Sequence, residues 1–328
     1  MRYRHLFLSL VFAFSTAHGF LSADELRFFV GTYTQGDSQG IYTATLDTQT
    51  GKVTKPKLVA KTENPSFLAV HPTNRFLYSV GEVSNFGGKE SGSIDAFSIG
   101  KAGQLTLINQ QASQGGAPCH LVVDAKGKFV LFANYFGGNV GTMPIAKDGS
   151  LGTASGFAQH KGSSVTPRQK GPHAHSINLD KKNRFAVAAD LGLDQLITYR
   201  LGPKGALKRV AEHDEKPGAG PRHFCFHPNG KLGFLLNEIS ATISSLAYDG
   251  KTGKFTPIQT LSTLPTDFDG RKSCAEVRVH PSGKFLYCSN RGHDSIAVYT
   301  IAKTGTMEPI EIVKTGGEEP RNFTLDPT

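Results

Sequence analysis

The stretch Gly220–Glu238, "GPRHFCFHPNGKLGFLLNE", sets two apolar runs on either side of "HPNGK". Pro, Asn and Gly between such runs are turn chemistry: Pro fixes the corner, and Gly takes the positive φ that closes it. The segment therefore reads as an antiparallel hairpin. Arg222 and His223 start its first strand, and Asn237 and Glu238 end its second. Antiparallel strands bring those four polar residues to one edge, opposite the turn.

The turn recurs along the chain. "HPTNR" begins at 71, "DAKGK" at 124, "DKKNR" at 180, "HPNGK" at 227, "HPSGK" at 280 and "DPT" at 326, at spacings of 53, 56, 47, 53 and 46 residues. A short apolar strand precedes each ("SFLAV", "HLVVD", "HSINL", "HFCFH", "EVRVH", "NFTLD"), and a second follows each complete turn, as in "RFLYSVGE" and "KFLYCSNR". Two weaker strands then follow, rich in β-branched and aromatic residues and bounded by Gly, Asn and Pro. No segment beyond the N-terminal leader shows helical periodicity. The 37 glycines, with no collagen-like period, fit many tight turns. A four-stranded antiparallel unit repeated about every 50 residues predicts an all-β fold, a β-propeller.

Labelling the strands of a unit A to D from the axis outward, the head of the chain supplies B, C and D without A. The tail "PRNFTLDPT" supplies an A strand alone. Head and tail are expected to combine into one blade, giving six blades in a single domain over 24–328.

The first twenty residues, "MRYRHLFLSLVFAFSTAHGF", combine basic Arg2 and Arg4, an apolar run from Leu6 to Phe14, and small residues near Ala17 and Gly19. The run is too short to span a bilayer and reads as a signal peptide over 1–23, cleaved near Gly19 or Ala23. The expectation is an exported protein, periplasmic or secreted, with no membrane attachment after cleavage. The net charge of +9, from 36 basic and 27 acidic residues, is scattered without a basic block. That argues against nucleic acid and is compatible with an anionic small molecule.

Four cysteines, Cys119, Cys225, Cys274 and Cys288, lack metal-ligand spacing. Cys274 and Cys288 flank one hairpin, so either a cross-strand bridge or four small buried residues fits the pattern. "GDSQG" at 36–40 matches G-x-S-x-G but lies between two strands with no helix to form a nucleophile elbow, which argues against Ser38 as a nucleophile. "GAGPRH" at 218–223 precedes a strand, so it lacks the helix N-terminus of a phosphate loop.

"FVGTYT", "GPHAHSINLD", "ADLGLDQLITYRL", the opening stretch, "EVRVHPSGKFLYCSNRGHDSIAVY" and "PRNFTLDP" together resemble the bacterial lactonase family that includes propeller-type 6-phosphogluconolactonases. That family is in turn similar to the propeller carboxy-cis,cis-muconate cycloisomerases. The resemblance covers residues 27–328. It implies seven blades, whereas this sequence stops at the turn after which a seventh unit would continue, so either the family's last blade is missing from it or the ring closes with six.

Strand starts of A and strand ends of B share one rim, and A strands line the central channel. His175, Arg222, Glu238 and Arg291, from neighbouring blades, are thereby expected at the channel mouth. The resemblance implies that matching positions form the active site. His175 or Glu238 would take a proton from water attacking a lactone carbonyl. Arg222 and Arg291 would bind the anionic group and the developing oxyanion. The competing reading is an ion-pair ring that only ties blades together. His120, Asn134, His223, Asn237, Glu276 and Arg321 form a second tier of expected substrate-binding residues, with Tyr135 and Asp190 at the same rim. His71, His227 and His280 fall in turns on the far face and read as turn chemistry. A rim mixing His with Arg disfavours a cation, so neither metal nor cofactor is expected. The reading is a monomeric hydrolase of an anionic sugar lactone. A cycloisomerase, or a non-catalytic exported propeller that binds a ligand or protein, stands as the alternative.

Overall fold

The computed structural model describes residues 8–12 and 25–326. Its strands fall into six antiparallel sheets of four. The first holds β1 (Leu8–Phe12), β2 (Glu25–Thr32), β3 (Gly40–Asp47) and β4 (Lys57–Lys61). The second holds β5 (Leu68–Val70), β6 (Phe76–Gly81), β7 (Ser93–Ile99) and β8 (Leu105–Ala112). The third comprises β9 (Pro118–Val123), β10 (Phe129–Asn134), β11 (Asn139–Pro144) and β12 (Gly156–Gln159). The fourth comprises β13 (Ala174–Leu179), β14 (Phe185–Asp190), β15 (Gln195–Leu201) and β16 (Leu207–Asp214). The opening stretch forms β17 (Pro221–Phe226) and β18 (Leu232–Asn237), completed by β19 (Thr242–Asp249) and β20 (Lys254–Ser262). The last sheet is β21 (Cys274–Val279), β22 (Phe285–Asn290), β23 (Ser295–Ile301) and β24 (Met307–Lys314). Two three-residue 3-10 turns, Pro167–Gln169 and Pro203–Gly205, are the helical elements among the described residues. The all-β propeller expected from the repeat is the fold observed.

The recurrent turn explains itself physically. Its penultimate residue is Asn74, Gly127, Asn183, Gly230 or Gly283, and all five sit at φ between 52° and 72°. Gly and Asn are the residues that enter this left-handed region at least cost. The first turn residue does a second job. His71 Nε2 donates to Gly127 O at 3.1 Å, and His227 Nε2 donates to Gly283 O at 2.8 Å, each reaching the next sheet's turn. His71 and His227 thus clip blades together beyond the turn role expected of them, whereas His280 Nδ1 pairs with Ser282 Oγ inside its own turn at 2.8 Å.

Apolar side chains pack each sheet against the sheet that follows it in the chain. Phe76, Tyr78 and Ile94 meet Leu121, Val130 and Phe132 across the second interface, and Leu232 and Phe234 meet Leu286, Cys288 and Tyr299 across the fifth. Fully buried side chains of this kind each stabilise the fold by about 1.5–3 kcal/mol. Among the described residues, no such cluster joins the sixth sheet to the first. The tail crosses there instead: Asn322 Nδ2 donates to Glu276 of β21, and the Arg321 guanidinium lies 5.2 Å from the centre of the Tyr33 ring, just past β2.

One expectation is corrected. The tail does not pair as the innermost strand of the first blade, since residues 315–326 form no strand. Leu8–Phe12 takes that place, pairing antiparallel with β2 from Leu8↔Thr32 to Phe12↔Phe28. β2 offers an unpaired backbone edge, and an apolar, β-prone segment satisfies it. The rest of the expected leader, 1–7 and 13–23, lies outside the described residues. Of the two readings left open for the cysteines, the unbridged one is observed: all four thiols are free. A bulge in β21 sets Cys274 opposite Asn290 and Cys288 opposite Val277, and Cys274 Sγ donates to Asn237 O at 3.0 Å instead.

Candidate active site

The innermost strands share a deformation that makes the site. In β13, β17 and β21 the register shifts near the strand start, between Ala174 and Ser176, Pro221 and His223, and Cys274 and Val277. Such bulges re-aim side chains at the rim of a sheet. Counting back five residues from each turn gives Ser66, Cys119, His175, Arg222, Ala275 and Arg321. The residue just beyond each second strand gives Tyr33, Glu82, Tyr135, Leu191, Glu238 and Arg291. A cavity of about 240 Å³ opens at this rim. Tyr33, Glu82, Cys119, Tyr135, His175, Glu238, Arg291 and Arg321, drawn from these two rings, line it with Arg168 and Phe136.

Glu238 organises one wall. Its Oε2 lies 2.9 Å from Arg222 Nε, while Oε1 lies 2.9 Å from Arg291 Nη2 and 2.7 Å from Arg168 Nη1. Arg222 is 1% exposed and is tied to Ala275 O; Arg291 donates to Cys274 O at 3.3 Å. Burial alone would raise the Glu238 carboxyl, but Arg291, Arg222 and Arg168 together outweigh it and hold it at about 2. Burial pulls the Arg222 guanidinium down, helped by Arg321 and Arg291 and opposed by Glu238 and Glu276, to about 10. Both groups are therefore ionised at neutral pH.

The imidazole of His175 sits between this wall and Cys119, whose Sγ is 3.7 Å from Nδ1. Burial first, then the cations Arg222 and Arg321, push His175 well below its usual range, so the ring is neutral. Burial likewise keeps the Cys119 thiol protonated. The opposite wall is Tyr33, which donates to Glu82 Oε2 at 2.7 Å, with Ser66 donating to the same oxygen and Arg321 over the Tyr33 ring. Three guanidiniums (Arg168, Arg291 and Arg321) against two carboxylates (Glu82 and Glu238) line the cavity, with Arg222 behind Glu238, and the balance is positive.

The second tier divides. Arg321 lines the cavity. His120, His223 and Glu276 lie beneath it in the channel: the His120 ring is 4.3 Å from Phe67 and 5.3 Å from His223, and His223 Nδ1 is 3.2 Å from Glu276 Oε1. Burial lowers His223 to about 4 despite Glu276, and burial with His223 pushes His120 well below its usual range. Asn134 and Asn237 do not line the cavity. Asn134 Nδ2 donates to Ser113 O at 2.8 Å and Asn139 Oδ1 at 2.7 Å; Asn237 Nδ2 faces Glu215, Thr242 and Ser244. As last residues of their strands they face the adjoining turn, and the next residue faces the cavity. Asp190 likewise caps the amides of His173 and Gly192.

Arg168, Tyr33 and Glu82 were not singled out from sequence. The repeat position signals Tyr33 and Glu82, whereas Arg168 lies in a long loop that no repeat registers. The two decoys resolve as read: β3 rather than a helix follows Ser38, and the amides of Gly218 and Gly220 donate to the Asp194 carboxylate at 2.8 and 2.7 Å. Among the described residues, no group of three or more His, Cys, Asp or Glu side chains is arranged to hold a metal ion.

The model of the lactonase family, described as a seven-bladed β-propeller, matches residues 27–328. A 6-phosphogluconolactonase of Bacillus subtilis is 40% identical over 302 residues, covering 92% of this chain and 85% of the relative. A second 6-phosphogluconolactonase, from Formosa agariphila, is 34% identical over 310 residues, covering 92% and 86%. Among solved structures, the periplasmic gluconolactonase of Pseudomonas aeruginosa superposes with a TM-score of 0.87 at 30% identity, covering 92% of this chain and 86% of that one.

Proposed function

We propose, from the premise that this chain belongs to the lactonase family of β-propellers, that it hydrolyses the ester bond of an anionic sugar lactone. The observation that carries the reading is one cavity lined both by a neutral imidazole, His175, and by a carboxylate held by arginines, Glu238. Lactone hydrolysis is what the names of the relatives describe. The chemistry needs a base for water, a cationic partner for the carbonyl oxygen as it gains charge, and a site for the substrate's anion.

In this reading His175 takes the proton of the attacking water, since a neutral imidazole has a lone pair available. Glu238, with its lone pairs engaged by guanidiniums, orients that water and fixes Arg291. Arg291 and Arg321 face the cavity and stabilise the oxyanion. Arg222 is buried behind Glu238, so its role shifts from touching substrate to holding Glu238. No metal is needed in this scheme, because four guanidiniums supply the positive charge and would repel a cation. The protein acts as an exported monomer, a location supported by its leader-like N-terminus and by the periplasmic relative from Pseudomonas aeruginosa.

The experiment is hydrolysis of a panel of sugar and aromatic lactones by the purified protein, corrected for spontaneous opening and repeated with a chelator. Opening of anionic sugar lactones at a rate indifferent to the chelator is expected. Failure on the whole panel would falsify the lactonase reading, and chelator-sensitive activity restored by a divalent ion would end metal independence.

A further inference from the structure

Glu238 carries one guanidinium more than its buried setting requires. Arg222 and Arg291 are fixed by burial and by backbone carbonyls, and together they reach both carboxylate oxygens. Arg168 shares Oε1 with Arg291 from the solvent side, and its own side chain is 51% exposed. Its remaining polar contact is Nη2 to Tyr135 Oη at 3.1 Å, also at the cavity wall.

The root of Arg168 is nonetheless firmly held. The neighbouring Gln169 is fully buried and donates to Leu191 O at 2.8 Å and Asp194 Oδ1 at 2.7 Å. Ser164 Oγ donates to Asp194 Oδ2 at 2.5 Å, and the Ser164 amide donates to Gln169 O at 2.8 Å. The same Asp194 carboxylate takes the amides of Gly218 and Gly220, just before Arg222. One buried carboxylate thus ties the loop carrying Arg168 to the strand carrying Arg222. A fixed root with a half-exposed guanidinium over a cavity is the arrangement of a reader for an incoming anion.

We propose that Arg168 is an exchangeable anion clamp: in the free protein it pairs with Glu238, and the phosphate or carboxylate of a substrate displaces Glu238 and takes its place. The clamp deepens the lactonase reading and rests on it for the identity of the substrate. The exchange has two consequences. The anionic tail of the lactone is bound at the outer lip of the cavity, above Tyr135. Glu238 meanwhile regains an oxygen lone pair facing the cavity, where it can receive the water that His175 deprotonates. Binding of the anion and readiness of the wall are thereby coupled, so a neutral lactone gains neither.

Inorganic phosphate is the probe, because its binding requires no turnover. Calorimetry should show that Arg168→Gln weakens phosphate by roughly tenfold or more, the value of one charge-assisted pair. Arg168→Lys, which keeps the charge and loses the fork, should fall between. Glu238→Gln should tighten phosphate binding, because it removes the anion that competes for Arg168. That tightening should vanish when Arg168→Gln is added. Phosphate affinity unchanged in Arg168→Gln, or equal tightening with and without Arg168, overturns the clamp. In turnover, the ratio of kcat/KM for a phosphorylated over a neutral sugar lactone should fall by a similar factor in Arg168→Gln, and an unaltered ratio overturns it equally. If the wild type opens no lactone while the phosphate pattern holds, the clamp stands and the lactonase reading alone falls.

Discussion

Arg222 and Glu238 stand at the two ends of one hairpin and meet at 2.9 Å across its open edge. Both are buried, so neither charge is tolerated without the other. This pair makes a direct prediction. Glu238→Ala leaves Arg222 and Arg291 buried and facing each other, and should cost about 3–5 kcal/mol in chemical unfolding. Glu238→Gln keeps the shape and an oxygen acceptor for one guanidinium while turning an NH2 toward the other, and should cost less than the Ala variant. Lactone turnover should nevertheless fall about 100-fold or more in the Gln variant. A folded Gln variant with intact turnover would reduce the arginine–glutamate cluster to a tie between blades.

The buried channel histidines set a pH dependence. His223 is held at about 4 by burial against an ordinary 6.5, and His175 and His120 are displaced in the same direction. In the unfolded chain these rings take protons below about pH 6.5, while in the folded chain they do not. Stability is therefore full above that pH and is lost as pH falls, by about 3 kcal/mol for His223 alone on reaching pH 4. Glu238 and Glu276, both held at about 2 by arginine and histidine partners against burial, add a further loss from 4.5 downward. Urea midpoints measured from pH 8 to pH 4 should decline already between 6.5 and 5. A flat profile across that interval would mean that the rings are protonated in the fold.

Asn237 belongs to the scaffold, and its replacement separates scaffold from site. Its side-chain amide faces Glu215, Thr242 and Ser244 with no access to the cavity. Asn237→Ala should lower stability by about 1–3 kcal/mol through lost and orphaned hydrogen bonds. KM for a lactone should stay within twofold of wild type at a temperature where both are folded. A large rise in KM at unchanged stability would return Asn237 to the binding residues.

Much of this was legible because the repeat fixes geometry. Alternation of apolar residues gave the hairpins, and antiparallel pairing then placed His175, Arg222, Glu238 and Arg291 at one rim without further information. The failures lie where a single residue of register matters. Asn134 and Asn237 end their strands facing the adjoining turns, while Tyr135 and Glu238, one position on, face the cavity. The β17 bulge beside Arg222 has a counterpart in β21, and that second bulge slides Cys274 away from Cys288. Arg168 carries no repeat signal, since its place depends on buried contacts of Gln169 and Asp194 that no local pattern encodes. The tail was read by its motif alone, and β2 had a second segment able to pair with it.

That second segment yields the last prediction. Leu8–Phe12 cannot both leave with a signal peptide and remain as the inner partner of β2. Export with cleavage near Gly19 or Ala23 removes β1 and uncovers the β2 edge from Phe28 to Thr32, which pairs with it. Intact mass of the protein recovered from the exported fraction should show the loss of residues 1–19 up to 1–23. Hydrogen exchange along Phe28–Thr32 should then be faster in that product than in the uncleaved chain, because a sheet edge without a partner leaves its amides to water. Recovery from that fraction of a chain still carrying residues 8–12 would sink the cleavage, and absence of the protein from the fraction would sink the export reading. Equal protection of β2 in both forms would show that another segment occupies the edge once the leader has gone.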